Sequence, residues 1–490
     1  MAGVIECDVL VVGAGPTGTT LGLMLARDGV STLVIDKEAE IYPLPRAAHI
    51  DHETMRTYQD LGVADRIAAT CRLSASYDFL NRNGDVLMKF EGLDQIGPGG
   101  WPVGNMIHQP SIEKILRDDA RGEPKFQLRG EWAFVSCEDR DGGVAATIQT
   151  KDGDVAVRAR YLVGADGARS PVRVAAGIEM DDLQFDEPWL VVDVSVQDFD
   201  RLPKVNLQIC DPARPTTCVL MGSGRHRWEF MMKPGETAEQ VMDDAFVADL
   251  LKPWNVDGAV TLERKAVYRF NAKVAKIWRK GRVLLAGDAA HLTPPFAGQG
   301  LCAGLRDAAN LAWKLSAIVR DGAPDTLLDT YQAERDAHAR ALIQLAMMMG
   351  RTVCIMDEAA AQARDAAMIA ARAAGDAPPL APPALQGGCL FAGAGAGEYF
   401  PQPIAANGAR LDDALGRGAW LISRTGAEGG AMPGLHEVAL TDATLAPFAE
   451  ALSRWLTKFG ADAVLVRPDH YVFGVGDAAA LKRAWRERLS

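Results

Sequence analysis

Cysteine is scarce in this 490-residue chain and shows no paired spacing. The eight cysteines (Cys7, Cys71, Cys137, Cys210, Cys218, Cys302, Cys354 and Cys389) form no C-x-x-C. That excludes a zinc ribbon and argues against a disulfide framework, so no metal site is expected and a reducing, cytoplasmic setting is. Basic charge is short as well: 52 Lys and Arg stand against 64 Asp and Glu, a net charge of −12. An acidic chain makes a poor surface for polyanions, so neither nucleic acid nor an anionic membrane is an expected partner. No apolar run approaches the ~20 residues of a membrane span. The first such run, residues 7–12, has no basic stretch ahead of it, so no signal segment is expected. No internal repeat of fixed period appears. With 48% hydrophobic and 24% charged residues the composition is that of a globular protein with ample core.

What the chain does have is glycine, 48 residues of it, and the informative ones follow strands. Residues 8–12 (DVLVV) read as a parallel strand buried on both faces. Gly13-Ala14-Gly15-Pro16-Thr17-Gly18 follows directly and opens a helical pattern over 17–28; residues 32–35 read as the next buried strand. Gly13 permits the tight turn. A side chain at 15 would block a pyrophosphate, and one at 18 would push the helix off the strand. The helix start offers free N–H groups to phosphates. Asp36 ends the second strand, where an acid can bond a ribose diol. Together these point to a dinucleotide.

Two later clusters repeat the pattern of strand, Gly/Asp turn and helix. One runs over 161–173 and contains Asp166-Gly167; the other runs over 282–302 and contains Gly287-Asp288. Asp288 is placed to accept hydrogen bonds from sugar-alcohol hydroxyls. The Gly298-Gln299-Gly300 loop opens a helix whose N–H groups suit negative charge on a flavin pyrimidine ring.

The rest of the chain is organised around these clusters. Helical segments are expected near 51–68 and 110–121, and hairpins over 78–90 and 132–162, where Asn83-Gly84 and Asp152-Gly153 mark turns. A strand-rich stretch over 180–275 reads as an inserted sheet. The Ala-, Pro- and Gly-rich stretch 375–397 reads as a linker. Gly393-Ala394-Gly395-Ala396-Gly397 mimics a nucleotide fingerprint, but no buried strand precedes it and Pro401 would break a helix, so no separate nicotinamide domain is expected.

With the fingerprint, Asp166-Gly167 with Ser170 and Arg173, and Gly287-Asp288 with Pro294 all in order, the sequence resembles the single-component FAD-dependent aromatic hydroxylases. These are the p-hydroxybenzoate hydroxylase class. Further motifs over 186–193, 210–217, 227–230, 400–402, 411–413 and 466–469 resemble its 3-(3-hydroxyphenyl)propionate hydroxylase branch. The resemblance implies an α/β fold: a Rossmann-like FAD-binding domain (1–180 and 276–374), an inserted β-sheet substrate domain (181–275) and, beyond the linker, a C-terminal thioredoxin-like domain (398–490). Gly13, Gly15, Pro16, Thr17 and Gly18 would face the FAD pyrophosphate, and Asp36 with Lys37 the adenosine ribose. Arg46 would reach the FAD and Gln109 the ribityl chain. Asp166 would serve both FAD and the nicotinamide nucleotide, and Asp288 the ribityl hydroxyls. Pro294 and Pro295 would pass beside the isoalloxazine; Gly298, Gly300, Leu301 and Cys302 would line its pyrimidine edge.

The implied reaction is hydroxylation of a phenolic ring, phenylpropionate-like or otherwise substituted, through a flavin C4a-hydroperoxide with NADH or NADPH and O2. A tailoring hydroxylase of a polyketide or other larger aromatic is the alternative. His49, often a small residue in relatives, is a catalytic candidate beside Pro295. Met221, Phe230 and Met232, with Trp189 and Trp228, are the expected apolar substrate lid. The oligomeric state is open, a homodimer included.

Overall fold

The computed structural model describes residues 4–140, 142–375, 382–426 and 431–490. Its first sheet is built on parallel pairing. Ile5–Val12 lies between Thr32–Ile35 and Gly153–Gly164, and Phe126–Arg129 and Val283–Leu285 extend the parallel ladder on either side. Val9, Leu10 and Val11 are fully buried, as a strand covered on both faces requires. Helix Pro16–Arg27 follows at once; Pro16 presets its first turn, and Gly15 at the N-cap provides no side-chain cap. All three glycine clusters therefore open at one edge of this sheet, beyond the carboxyl ends of its parallel strands. The 51–68 segment is two helices, His52–Asp60 and Ala64–Ala68, broken at Gly62 with its φ of +60°.

The second sheet has eight strands and is mostly antiparallel. Met180–Val196, Val260–Ala275 and Arg225–Met231 form its centre. It is wider than the 181–275 segment, because Ser76–Leu80 and Val86–Glu91 join it through a parallel pairing of Ser76–Leu80 with Asn206–Ile209. At the other edge His291–Leu292 pairs with Val260–Ala275 and so ties the third glycine cluster directly to the sheet. One face carries Leu190, Val192, Val194, Trp228, Phe230 and Met232 in a separate core with Val241 and Val247. The opposite face looks toward the glycine clusters.

The last domain is a four-stranded sheet in the order Leu435–Ala439, Ala419–Ser423, Ala463–Val466, Val472–Gly476. The first two strands are parallel and the others antiparallel. It is docked through buried ion pairs. Arg56 meets Asp412 at 2.6 Å, Arg467 meets Glu334 at 2.7 Å, and Tyr471 donates to Glu53 at 3.0 Å. The linker reading of 375–397 needs correction for its second half. Leu385 and Cys389 are buried, and the Cys389 N–H donates to Glu334 at 2.8 Å, so this stretch is packed between the domains. Residues 376–381 lie outside the described residues. Among the described residues no single helix is long and apolar enough to cross a membrane.

Candidate active site

The glycine clusters and the second sheet enclose one chamber of about 1690 Å³. Its nucleotide end is built on the first cluster. Gly13 has φ +105°, and a Cβ there would lie 2.3 Å from the Ala165 carbonyl oxygen, so the turn belongs to glycine. At Gly15, among the described residues, no heavy atom lies within 4 Å of where a Cβ would stand, and the residue faces the chamber. At Gly18 a Cβ would lie 2.0 Å from the Gly13 carbonyl oxygen. Gly18 is thus a packing glycine behind the loop and does not line the chamber, a correction to its expected place at the pyrophosphate. Pro16, Thr17 and Lys37 line the wall. Asp36 also faces it, and its carboxylate accepts from the Ala14 N–H at 2.7 Å and the Glu38 N–H at 2.9 Å. The acid therefore pins the glycine loop before any ribose arrives.

The middle of the chamber holds the other expected residues. Arg46 lies over the Tyr42 ring at 5.0 Å. Gln109 accepts from the Ala47 N–H at 2.8 Å and donates to Glu113 at 2.8 Å, which fixes the loop that carries Arg46. Asp166 accepts from the Val172 N–H at 3.0 Å, while its Oδ1 is buried without a partner among the described residues. Burial raises its pKa. Asp288 opens its carboxylate onto the chamber while packed on its other sides by protein, which also raises its pKa. Arg117, which sequence reasoning passed over, lines the wall and donates to the Ala14 carbonyl at 3.1 Å.

The third cluster supplies the far end. Gly298, in the left-handed region at φ +62°, turns the chain into helix Gly300–Asp321, whose N-cap carries no side-chain hydrogen bond. Gly300 and Leu301 face the chamber; Cys302 is fully buried behind them, and burial pushes its thiol pKa up. Position 302 therefore offers the chamber no side chain, and only its backbone N–H could serve the pyrimidine edge. Arg306 of the same helix is held by Asp51 and by Glu53 at 2.6 Å, and donates to Gln299 at 3.2 Å. Through Tyr471 this network reaches the C-terminal domain.

These residues fit FAD. Two uncapped helix starts open on one cavity, with space reserved at Gly15 and acids at positions 36, 166 and 288. Two helix starts place partial positive charge where an anionic cofactor needs it, without calling on the chain's scarce basic side chains.

The wall opposite is the inner face of the second sheet. Val191, Asn206, Thr217, Val219, Arg227 and Glu229 line it, with Tyr77, Met106, Phe270 and Phe296 beside them. Behind this wall Trp189 stacks on Phe270 with centroids 5.8 Å apart, and Phe296 meets both rings edge-on. Pro295 faces the chamber next to Phe296. His49 donates from Nδ1 to the Gly298 carbonyl at 3.1 Å, since a carbonyl can only accept; burial lowers its pKa, so the ring is neutral and Nε2 is left as an acceptor.

The expected lid residues need correction. Along Arg225–Met231 side chains alternate, so Arg227 and Glu229 enter the chamber while Trp228 and Phe230 enter the core on the other face. Met232 lies in that same core, and Met221 is fully buried away from the chamber. Large apolar residues suggested a lid, yet the outer core claimed them. The available signal was the opposite one: the charges at 227 and 229, alternating with Trp228 and Phe230.

Fold and chamber together define a nucleotide-dependent oxidoreductase with room for a second, ring-bearing substrate. A family model described as an FAD binding domain matches residues 6–346. Over its whole length the chain is 38% identical to a probable NADH-specific resorcinol 4-hydroxylase of Rhodococcus jostii, covering 96% of that protein. Over 73% of its length it is 39% identical to a 3-(3-hydroxy-phenyl)propionate/3-hydroxycinnamic acid hydroxylase of Mycolicibacterium smegmatis, covering 63% of that protein. The crystal structure of aklavinone-11 hydroxylase with FAD and aklavinone shares the fold, with a TM-score of 0.81 and 24% identity over 99% of both chains. The chain belongs to the FAD-binding-domain family and is an FAD-dependent hydroxylase.

Proposed function

We propose that this enzyme is a monooxygenase that hydroxylates a small, uncharged phenol of the dihydroxybenzene type with NADH and O2. The observation that carries this reading is the polar chemistry of the sheet wall. The two arginines deep within it are already engaged. Arg227 donates to Asp193 at 2.6 Å and to the Pro45 and Arg46 carbonyls at 2.7 and 2.8 Å, and Arg264 donates to the Pro45 carbonyl at 2.6 Å and to Asp193 at 3.2 Å. What faces the space is a set of groups suited to hydroxyls, Asn206, Thr217, Tyr77 and Glu229, beside aromatic rings. Arg264 keeps Nε and Nη2 without partners among the described residues, but both are buried and the residue does not line the chamber; a substrate carboxylate at this wall would meet Arg227, already spent on Asp193 and the loop carbonyls. The full-length similarity to a resorcinol hydroxylase supports the same choice over a phenylpropionate.

Bound FAD would supply the redox and oxygen-transfer chemistry. The chain's own residues do the rest. The helix starts at Gly15 and Gly300 hold the anionic parts of the cofactor, and Asp288 takes the ribityl hydroxyls. Pro295, Phe296 and the Trp189–Phe270 stack keep water from the reacting ring, which limits loss of oxygen as peroxide. Thr217 and Tyr77 both donate to Gln208, at 2.8 and 3.0 Å, and so fix the hydroxyl-lined wall.

The domain division given above is adopted with the strands of residues 76–91 assigned to the substrate sheet. The parallel pair extended by an antiparallel hairpin supports a thioredoxin-like reading of 398–490, and eight unpaired thiols support a cytoplasmic setting. The test is a substrate panel with 18O2. Resorcinol-type phenols should speed NADH oxidation and yield product carrying the label. The panel includes 3-(3-hydroxyphenyl)propionate and fused-ring phenols; coupled product from only the latter would favour the tailoring alternative. Peroxide without product from every member refutes the proposal.

A further inference from the structure

The least expected group on the chamber wall is a carboxylate, Glu229. Its strand, Arg225–Met231, is paired on both sides, with Val191 and Thr217 directly opposite residue 229. The backbone there is held rigidly, and the side chain reaches into the chamber while only 6% of the residue is exposed. Among the described residues no group donates a hydrogen bond to it. The nearest cation, Arg227 Nη1, stands 3.6 Å away and donates elsewhere, to the Arg46 carbonyl. A structural carboxylate this deep would normally be saturated by donors, because an unpaired one destabilises the fold. This one is left with open lone pairs facing the substrate space.

We propose that Glu229 receives the proton of the substrate's phenolic hydroxyl. The proposal rests on the phenol-hydroxylase reading above. The substrate O–H bond breaks, its electron pair stays on the phenolic oxygen and conjugates into the ring, and the proton passes to a Glu229 carboxylate oxygen. Oxygen and electrons come from O2 and the reduced nicotinamide of the established chemistry. When the hydroxylated carbon loses its hydrogen as a proton, which ends in the water formed from the second oxygen atom of O2, the ring regains aromaticity, and Glu229 returns its own proton to the phenolic oxygen and ends the turnover unchanged.

The surroundings suit that task. Arg227 on the same strand favours the ionised form. Asp193 on the neighbouring strand and burial oppose it, and on balance its pKa is raised. A raised pKa makes a carboxylate a better proton acceptor once it is ionised. Tyr77, the other titratable group at this wall, has its pKa raised by burial and by Glu229, so it stays protonated. His49, whose pKa burial lowers, also faces the chamber, with its Nδ1 bonded to the Gly298 carbonyl.

The experiment compares the wild-type holoenzyme with Glu229→Gln and Glu229→Asp at matched FAD content, measuring product and H2O2 per NADH consumed across pH. Wild-type product yield should fall as pH drops below the Glu229 pKa, since the protonated acid accepts nothing. Glu229→Gln should lose product by about 100-fold at neutral pH, with H2O2 making up the difference, and its acid limb should vanish. Glu229→Asp should recover part of the yield. Wild-type yield or an intact acid limb in Glu229→Gln overturns the assignment. If instead His49→Asn removes the limb, the proton belongs to His49 and the proposal also fails. Failure of the wild type to hydroxylate any phenol is a different result, which overturns the functional reading as well.

Discussion

Two glycines three residues apart should fail in different ways when replaced. At Gly15 the backbone has φ −72°, open to any residue, and a Cβ has nothing within 4 Å among the described residues. Gly15→Leu should leave the apoprotein within about 1 kcal/mol of wild type, the cost of a poorer N-cap residue. The added side chain would occupy chamber space in front of the first N–H groups of helix Pro16–Arg27. Losing one N–H bond to a charged phosphate costs about 1.5–3 kcal/mol, so FAD should bind roughly 10- to 100-fold more weakly. At Gly18 a Cβ would lie 2.0 Å from the Gly13 carbonyl oxygen, with backbone on that side and no flexible side chain to yield. Gly18→Ala should therefore destabilise the apoprotein itself, by about 1–3 kcal/mol or more, through overpacking. Urea denaturation of the two apoproteins and fluorescence titration with FAD separate the effects. Gly15→Leu binding FAD within about threefold of wild type, or Gly18→Ala being as stable as wild type, would refute the argument from space.

Other consequences are equally direct. Arg56→Met leaves Asp412 buried without its 2.6 Å partner and should cost about 3–5 kcal/mol in denaturation, with early proteolysis of the C-terminal domain; pairing it with Asp412→Leu should restore much of this. The Arg467 and Lys314 cations hold Glu334 down to a pKa of about 2. Its contribution to stability is therefore complete above the unfolded value of about 4.3 and is lost as pH falls from there toward 2; the melting temperature should drop over that window, and less steeply in Arg467→Met. Phe296→Ala opens the ring cluster over Trp189 and Phe270 and should raise the H2O2 share of NADH turnover. Phe230→Leu, on the far face of the sheet, should lower stability by about 1 kcal/mol and leave the KM for phenol unchanged.

The nucleotide half of the site was legible in the sequence because it is local. Gly13, Gly15 and Asp36 act within one strand–turn–helix–strand unit, where a few residues settle the backbone and the backbone settles the chemistry. The substrate half was not, because its wall takes Tyr77, Asn206, Thr217 and Glu229 from four strands spread over nearly a third of the chain. The docking of the last domain was hidden for the same reason: Arg56 and Asp412 are individually ordinary charges until the fold buries them together.

One feature of the far wall was nonetheless within reach. Arg225–Met231 reads RHRWEFM, a strand whose Trp228 and Phe230 occupy one face and whose charges at 227 and 229 must then share the other. A sheet face that packed against ordinary core would select against both. Of the two charges, one is explained by the fold, since Arg227 is spent on Asp193 and on the carbonyls of the loop that carries Arg46. Glu229 is accounted for only in part: Arg227 Nη1 stands 3.6 Å away but donates elsewhere, among the described residues nothing donates a hydrogen bond to it, and the chamber lies before it. A charge whose burial the fold repays only in part is best explained by the substrate, and a substrate that repays a carboxylate must bring a proton to it.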